Sequence, residues 1–116
     1  MREVTAVRPI RIDEARLDLS AVERLEKLAQ AALESGASAL VIDCAVMTSV
    51  DPVGLSALLM LRKRMPEGVP VALAALSPAL QTLARILRLH DIFDIYADVR
   101  GAVRDLSDQE EGEVIR

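Results

Sequence analysis

The segment Thr48–Leu59 reads "TSVDPVGLSALL" and carries a proline and a glycine where a helix is expected to begin. It follows the apolar run "ALVIDCAVM" and opens an apolar stretch of helical spacing. Aspartate caps helix N-termini well, because its carboxylate accepts a hydrogen bond from an N–H that has no partner inside the helix. Proline is favoured at the next position, since it has no N–H to leave unsatisfied and its φ is already helical. The pattern therefore predicts a helix that begins at Pro52 and is capped by Asp51.

The glycine inside this first turn, Gly54, is unusual. Glycine in a helix costs about 1 kcal/mol relative to alanine, because the unfolded chain has more conformations to lose. Its presence predicts that some group comes close to the backbone at this point. That group could be a neighbouring strand of the same chain, a partner protein or an anion.

Two continuous apolar runs, Ser38–Asp43 ("SALVID") and Val69–Leu76 ("VPVALAAL"), predict strands that are buried on both faces. The N-terminal run Val4–Ile12 is rich in β-branched residues and predicts one or two short strands, broken near Pro9. A short strand is also expected within Asp91–Asp98.

Helical spacing of apolar residues appears in three other places. The first helix begins near Leu19, with Ser20 as its expected cap and Glu23 as the capping-box partner, and it ends at Gly36. Another follows Ser77, and a last short helix is expected from Val99.

Strands and helices alternate along the chain, which is typical of βαβ units. We therefore predict an α/β fold with a mixed or mainly parallel sheet of about four to five strands and three to four helices. The domain should cover residues 1–106. Residues 107–116 are rich in acids and are expected to form a disordered tail.

Composition excludes several classes of function. The net charge is -4 and there is no Trp, one Tyr and one Phe, so no basic surface with stacking aromatics is expected and nucleic acid is not a predicted partner. No apolar run reaches the roughly 18 residues of a membrane-spanning helix, so no membrane insertion is expected. The charged N-terminus does not resemble a signal peptide, and the single Cys44 forms no internal disulfide. A cytoplasmic location follows as the expectation.

The chain has few residues of the kinds that act in catalysis or bind metals and cofactors. The only histidine, His90, has no cluster of Cys, His or carboxylate residues around it in sequence, and the glycines are isolated. We therefore expect no catalytic residues, no metal and no cofactor, and we do not expect an enzyme.

The segment "LVIDCAVMTSVDPVGLSALLML" resembles the central motif of STAS domains, the family of bacterial anti-sigma factor antagonists and sulfate-transporter C-terminal domains. Asp43 matches the acid at the end of the strand. Asp51, Gly54 and Leu55 match the turn into the following helix, residues 51–55, which is called the corner below. The segment "RLDLSAVERLEKLAQAAL" resembles the first helix of the family, where Asp18 matches an acid beside the corner. The likeness extends to about Val103.

This resemblance implies a protein-interaction module in transcription regulation that binds a partner, an anti-sigma factor of the kinase type, through the corner. The implied partner-binding set comprises Asp18, Thr48, Ser49, Asp51, Pro52, Val53, Gly54 and Leu55. In the family, a hydroxyl after the corner aspartate is phosphorylated, and the added charge breaks the complex. Here that position is Pro52 and the next is Val53, so binding is not expected to be switched by phosphate there.

Several alternatives stay open at this point. Thr48 and Ser49 could be substitute phosphorylation sites, or they could simply satisfy a turn. Because no hydroxyl follows Asp51, the chain could also be a STAS-like subunit of a transporter ATPase or of another multi-protein complex. A homodimer is a further possibility.

Overall fold

The structure is a computed structural model that describes the backbone of residues 6–115 and the side chains of residues 6–108. Its strands are β1 (Val7–Arg11), β2 (Arg16–Leu17), β3 (Ala39–Asp43), β4 (Ser49–Val50), β5 (Val71–Ala74) and β6 (Asp94–Tyr96). Its helices are α1 (Leu19–Glu34), α2 (Pro52–Arg64), α3 (Pro78–Ile86) and α4 (Val99–Ile115), with a short 3-10 helix at Leu89–Asp91.

The main sheet has four strands in the order β1-β3-β5-β6, and every pairing in it is parallel. Side chains of β3 alternate between its two faces: Leu40 and Ile42 join one apolar cluster, whereas Ala39 and Val41 join the other. Helices α1, α2 and α3 cover the first face, and α4 covers the second. The α/β fold and the mainly parallel sheet predicted from sequence are therefore confirmed, and β3 is buried on both faces as expected.

A second, two-stranded sheet pairs β2 with β4 in parallel, so that Arg16 lies opposite Ser49 and Leu17 lies opposite Val50. Helix α1 follows β2 at once, and α2 follows β4 after Asp51. This small sheet therefore brings the starts of α1 and α2 side by side.

The structure corrects two details. The first strand runs through Pro9 without a break, because β1 lies at the edge of the sheet and the missing N–H faces no second strand; Val4 and Thr5, which belonged to the predicted strand, lie outside the described residues. Helix α1 is capped by Asp18 and not by Ser20: Asp18 has an extended conformation and its carboxylate accepts from the N–H of Ala21 at 2.9 Å.

The last helix is longer than the sequence suggested. Its backbone is helical from Val99 to Ile115, which includes residues 107–115 of the acidic segment, and the disorder expected for that segment stays a prediction. Glu and Gln are good helix formers, which allows the helix to continue past the packed residues Ala102 and Leu106. The boundary of the domain at residue 106 stays a prediction.

Candidate functional site

The start of α2 lies directly against the start of α1. The N–H of Asp51 donates to the carbonyl of Leu17 at 2.9 Å, one residue before the aspartate that caps α1. Two capping aspartates, Asp18 and Asp51, therefore follow neighbouring strands at the same edge of the small sheet. The structure thus brings together the two acids that the sequence analysis assigned to this corner.

Gly54 makes this close approach possible. A Cβ atom added there would lie 2.2 Å from the carbonyl oxygen of Leu17 and 2.7 Å from the Cα of Asp18. Both atoms belong to the backbone and cannot swing away, so only glycine fits at this position. Of the three explanations that the sequence left open, the structure shows the first: a segment of the same chain packs on the glycine.

Both oxygens of the Asp51 carboxylate accept hydrogen bonds. Its Oδ1 accepts from the N–H groups of Val53 at 2.8 Å and Gly54 at 3.2 Å, and its Oδ2 accepts from Nη2 of Arg16 at 2.7 Å. The two backbone N–H groups, from Gly54 and then Val53, lower the pKa of Asp51, with a smaller contribution from Arg16. Asp51 is therefore ionised at neutral pH and held in one orientation.

The turn before the corner is tied to the residue that precedes β2. The carbonyl of Ala15 accepts from the N–H of Thr48 at 2.6 Å, from the N–H of Ser49 at 3.1 Å and from the hydroxyl of Thr48 at 3.2 Å. Both Thr48 and Ser49 are exposed. The hydroxyl of Thr48 therefore helps to hold the turn, and the side chain of Ser49 is accessible.

The corner presents an apolar surface to solvent. Val53 is 60% exposed and Met60 is 46% exposed, and their separation of seven residues places them on one face of α2. Pro52 is exposed beside them, whereas Leu58 and Leu61 point into the core. The outer face of α2 therefore carries large apolar side chains that no other part of the described chain covers.

The predicted partner-binding residues thus fall into distinct environments. Thr48, Ser49, Pro52 and Val53 are exposed; Asp18, Asp51 and Leu55 are half-buried; Gly54 is buried. Gly54 shapes the corner through backbone packing and offers no side chain to a partner.

Two contributors to this surface, Arg16 and Met60, were not predicted from the sequence. The role of Arg16 could not be predicted, because its contact with Asp51 depends on the register of two very short strands that are far apart in sequence. Met60 could have been found from its spacing of seven residues from Val53 along α2.

The single cysteine, Cys44, and the single histidine, His90, lie outside the corner. Cys44 is buried, and this burial raises the pKa of its thiol to about 12, so the thiol stays protonated at neutral pH. His90 follows α3 in the 3-10 helix, with its Nε2 3.4 Å from Oδ1 of Asp91. Among the side chains that the structure describes, no group of three His, Cys, Asp or Glu residues is arranged to hold a metal ion.

The described part of the chain contains no helix that is both long enough and apolar enough to cross a membrane.

The fold matches solved structures over most of its length. A sulfate transporter family protein from Wolinella succinogenes superimposes with a TM-score of 0.75 at 13% sequence identity, over 92% of this chain and 88% of that one. A protein assigned as an anti-sigma factor antagonist from Thermotoga maritima superimposes with a TM-score of 0.66 at 16% identity, over 84% of this chain and 86% of that one. At these identities the likeness establishes the fold alone.

No protein with curated annotation shows significant sequence similarity to the chain. The sequence model of the STAS domain family, however, matches residues 1–102, which is most of the chain. The order of strands and helices, the capped corner and this match agree, and the chain belongs to the STAS domain family.

Proposed function

We propose that this STAS domain is a regulatory protein-interaction module of the anti-sigma factor antagonist type. It binds its partner through the corner Asp51–Leu55 and the outer face of α2, and phosphate at position 52 does not switch it. The observation that carries this proposal is the exposed apolar side chain of Val53, 60% accessible at the first turn of a helix whose start is rigidly held.

The chemistry of this surface suits a protein partner. Large apolar side chains at the centre of a protein interface supply much of its binding energy. Val53 and Met60 are exposed and can make such contacts. Val46, in the loop before the corner, is also 36% exposed. A partner would therefore contact an apolar centre on α2, with Thr48, Ser49, Asp18 and Asp51 at its polar rim.

The corner is also preorganised for binding. Asp51 is held by Val53, Gly54 and Arg16, and the close contact of Gly54 with Leu17 fixes the angle at which α2 leaves the sheet. A surface that is already ordered loses little conformational entropy when a partner docks. This rigidity supports docking at the corner itself.

The absence of a hydroxyl supports the second part of the proposal. Pro52 and Val53 occupy the positions where the family carries its phosphorylated hydroxyl, and neither side chain can accept a phosphate. Incubation with the cognate kinase and ATP should therefore leave partner binding unchanged. A phosphate on residues 48–56, accompanied by loss of the partner, would contradict this.

The docking surface can be located directly by photo-crosslinking in the native host. A photoreactive residue in place of Val53 is expected to capture a specific protein, identified by mass spectrometry. The same residue in place of Leu28, which is 45% exposed on α1, is the matched control and should not capture it. Equal capture from both positions would rule out docking at the corner.

Pro52 also favours a second candidate, a STAS-like subunit of a transporter ATPase or other complex that needs no phosphorylation cycle. The identity of the crosslinked protein separates the two: an ATP-binding anti-sigma factor supports the antagonist type, and a transporter ATPase supports the subunit. Capture of a second copy of this chain through Val53 would indicate a homodimer instead.

A further inference from the structure

A groove of about 350 Å³ opens beside α3, away from the corner. Its apolar floor consists of Leu76, Ala84 and Ile95, and its rim carries Arg85 and His90. It shares no lining residue with the corner. A volume of this size falls within the range of sites for small organic ligands.

The groove lies just outside the carboxyl ends of strands β5 and β6. Strands β5 and β6 are parallel neighbours, and the groove is lined by Leu76, just after β5, and by Ile95 and Tyr96, at the end of β6. The groove is therefore bounded by the carboxyl ends of two neighbouring strands.

The connections that build the groove are held in strained conformations. Among the described residues, the only non-glycine positions with positive φ are Ala75, at 65°, and Arg88, at 56°. Ala75 directly precedes Leu76, and Arg88 is two residues before His90. Such conformations cost free energy, and they cluster at functional sites.

Arg85 is the one permanently charged cation among the residues that line the groove. None of the residues that line the groove is an acid, and within residues 6–108 Arg85 is not paired with a carboxylate. His90 lies 3.4 Å from Asp91, whose other oxygen already accepts from Arg88. Arg85 is therefore available to a negatively charged ligand.

Tyr96 separates this groove from an acidic region. Its hydroxyl donates to Oδ2 of Asp105 at 2.5 Å, on the side towards Asp98 and Asp108, and burial together with this contact raises its pKa to about 12. The amide nitrogen of Gln81 donates to the carbonyl of Leu76 at 2.9 Å and so holds the floor in place. The groove thus combines an apolar floor with one unpaired guanidinium.

We propose that this groove binds a small organic monoanion, a carboxylate with an apolar body, with Arg85 contacting the carboxylate and Leu76, Ala84 and Ile95 contacting the body. A carboxylate suits the planar guanidinium, which can donate two parallel hydrogen bonds to it. The body buries apolar surface on the floor. An inorganic anion lacks the apolar contact with the floor, and a neutral alcohol lacks the charged contact with Arg85.

Titration of the ¹⁵N-labelled full chain with hexanoate, followed by NMR, tests this proposal. Saturable shifts of the amides around Leu76, Arg85 and Tyr96 are expected. Hexanol lacks the carboxylate and sulfate lacks the apolar body, so each should bind at least about tenfold more weakly than hexanoate. A loss of about tenfold is what removal of one charge-assisted contact causes.

The variant Arg85→Gln should weaken hexanoate binding about tenfold while its spectrum stays dispersed, because Arg85 is exposed and makes no contact on which folding depends. Arg100→Gln, which removes an exposed cation from α4 on the other face of the sheet, is the matched control and should bind as the wild type does. Shifts that do not saturate, hexanol binding as tightly as hexanoate, or equal affinities of the two variants would overturn the proposal.

Discussion

Gly54 and Leu17 are in backbone contact: a methyl group on Gly54 would lie 2.2 Å from the carbonyl oxygen of Leu17. The same carbonyl accepts the N–H of Asp51 at 2.9 Å, so the start of α2 is joined to the end of β2 by both packing and a hydrogen bond. The geometry of the corner therefore depends on the absence of a side chain at position 54.

Replacement of this glycine tests the contact. Gly54→Ala should destabilise the protein by about 3 kcal/mol, at the upper end of overpacking costs, because a backbone atom is the obstacle and cannot move aside. Chemical unfolding monitored by circular dichroism measures the change. Gly101→Ala is the matched control: Gly101 is also in a first helical turn and also donates to an aspartate three residues earlier, Asp98.

The added Cβ at Gly101 would meet only the carboxylate of Asp98, at 3.1 Å, a side chain that can shift. Alanine is also the better helix former. Gly101→Ala should therefore change stability by less than about 1 kcal/mol. Similar losses for both variants would show that the contact at Gly54 is not as close as described.

The charge of Asp51 makes part of the stability depend on pH. Its pKa is lower in the folded protein than the usual value of 3.8, so its ionised form stabilises the fold above that value. This contribution is lost as the pH falls through the lowered folded pKa. Asp51→Asn keeps a good capping side chain but has no charge.

The wild type should therefore be more stable than Asp51→Asn at neutral pH, and the difference should shrink steadily below pH 3.8. Melting temperatures of the two proteins across the acid range provide the measurement. A difference that does not change with pH would mean that the carboxylate charge is not stabilised by Gly54, Val53 and Arg16.

Pro52→Ser restores the hydroxyl that the family carries at this position. Because Pro52 is the first residue of α2, no N–H is missing and the variant should fold with a loss of about 0.4–1 kcal/mol. A cognate kinase should then phosphorylate it, since a helix N-terminus favours a phosphate. The new charge would lie near Asp18 and Asp51 and should weaken partner binding.

Pro78→Ser, at the first residue of α3, is the control, because it makes the same change at a helix start capped by Ser77 and far from α2 in sequence. Melting temperature and partner affinity, with and without kinase, are measured for both variants. Unfolding of Pro52→Ser alone would contradict the placement of the helix start. Phosphorylation without any loss of affinity would show that the corner is not the docking surface.

Cys44 should be inert in the folded protein. Its side chain is 1% exposed, and burial raises its pKa to about 12, so neither access nor ionisation favours reaction with a thiol reagent. Labelling with a disulfide reagent at neutral pH should proceed only as fast as the protein unfolds, and it should be immediate in denaturant. Rapid labelling under native conditions would contradict the described burial.

Local signals in the sequence predicted much of this structure. Asp51 followed by Pro52, and Ser77 followed by Pro78, marked two helix starts that the structure places at those residues. Gly36, with φ of 101°, marked the end of α1. These predictions succeeded because caps and left-handed glycines depend on a few neighbouring residues.

Features that depend on distant contacts could not be predicted in the same way. Gly54 signalled a close approach, but its partner Leu17 lies far away in sequence and was identified only by the structure. Ser20 and Asp18 both suit a helix start, and the pairing of β2 with β4 decides in favour of Asp18, because it holds the preceding residue, Leu17, in an extended strand.

Docking through the corner is tested by measuring the affinity of the purified partner for Val53→Glu and Leu28→Glu, compared with the wild type. Both substitutions place a charge on an exposed apolar position, so neither should disturb the fold. We predict that Val53→Glu weakens binding at least about tenfold, as expected for loss of a central apolar contact, and that Leu28→Glu binds as the wild type does. Unchanged affinity for Val53→Glu, or an equal loss in both variants, would contradict docking through the corner.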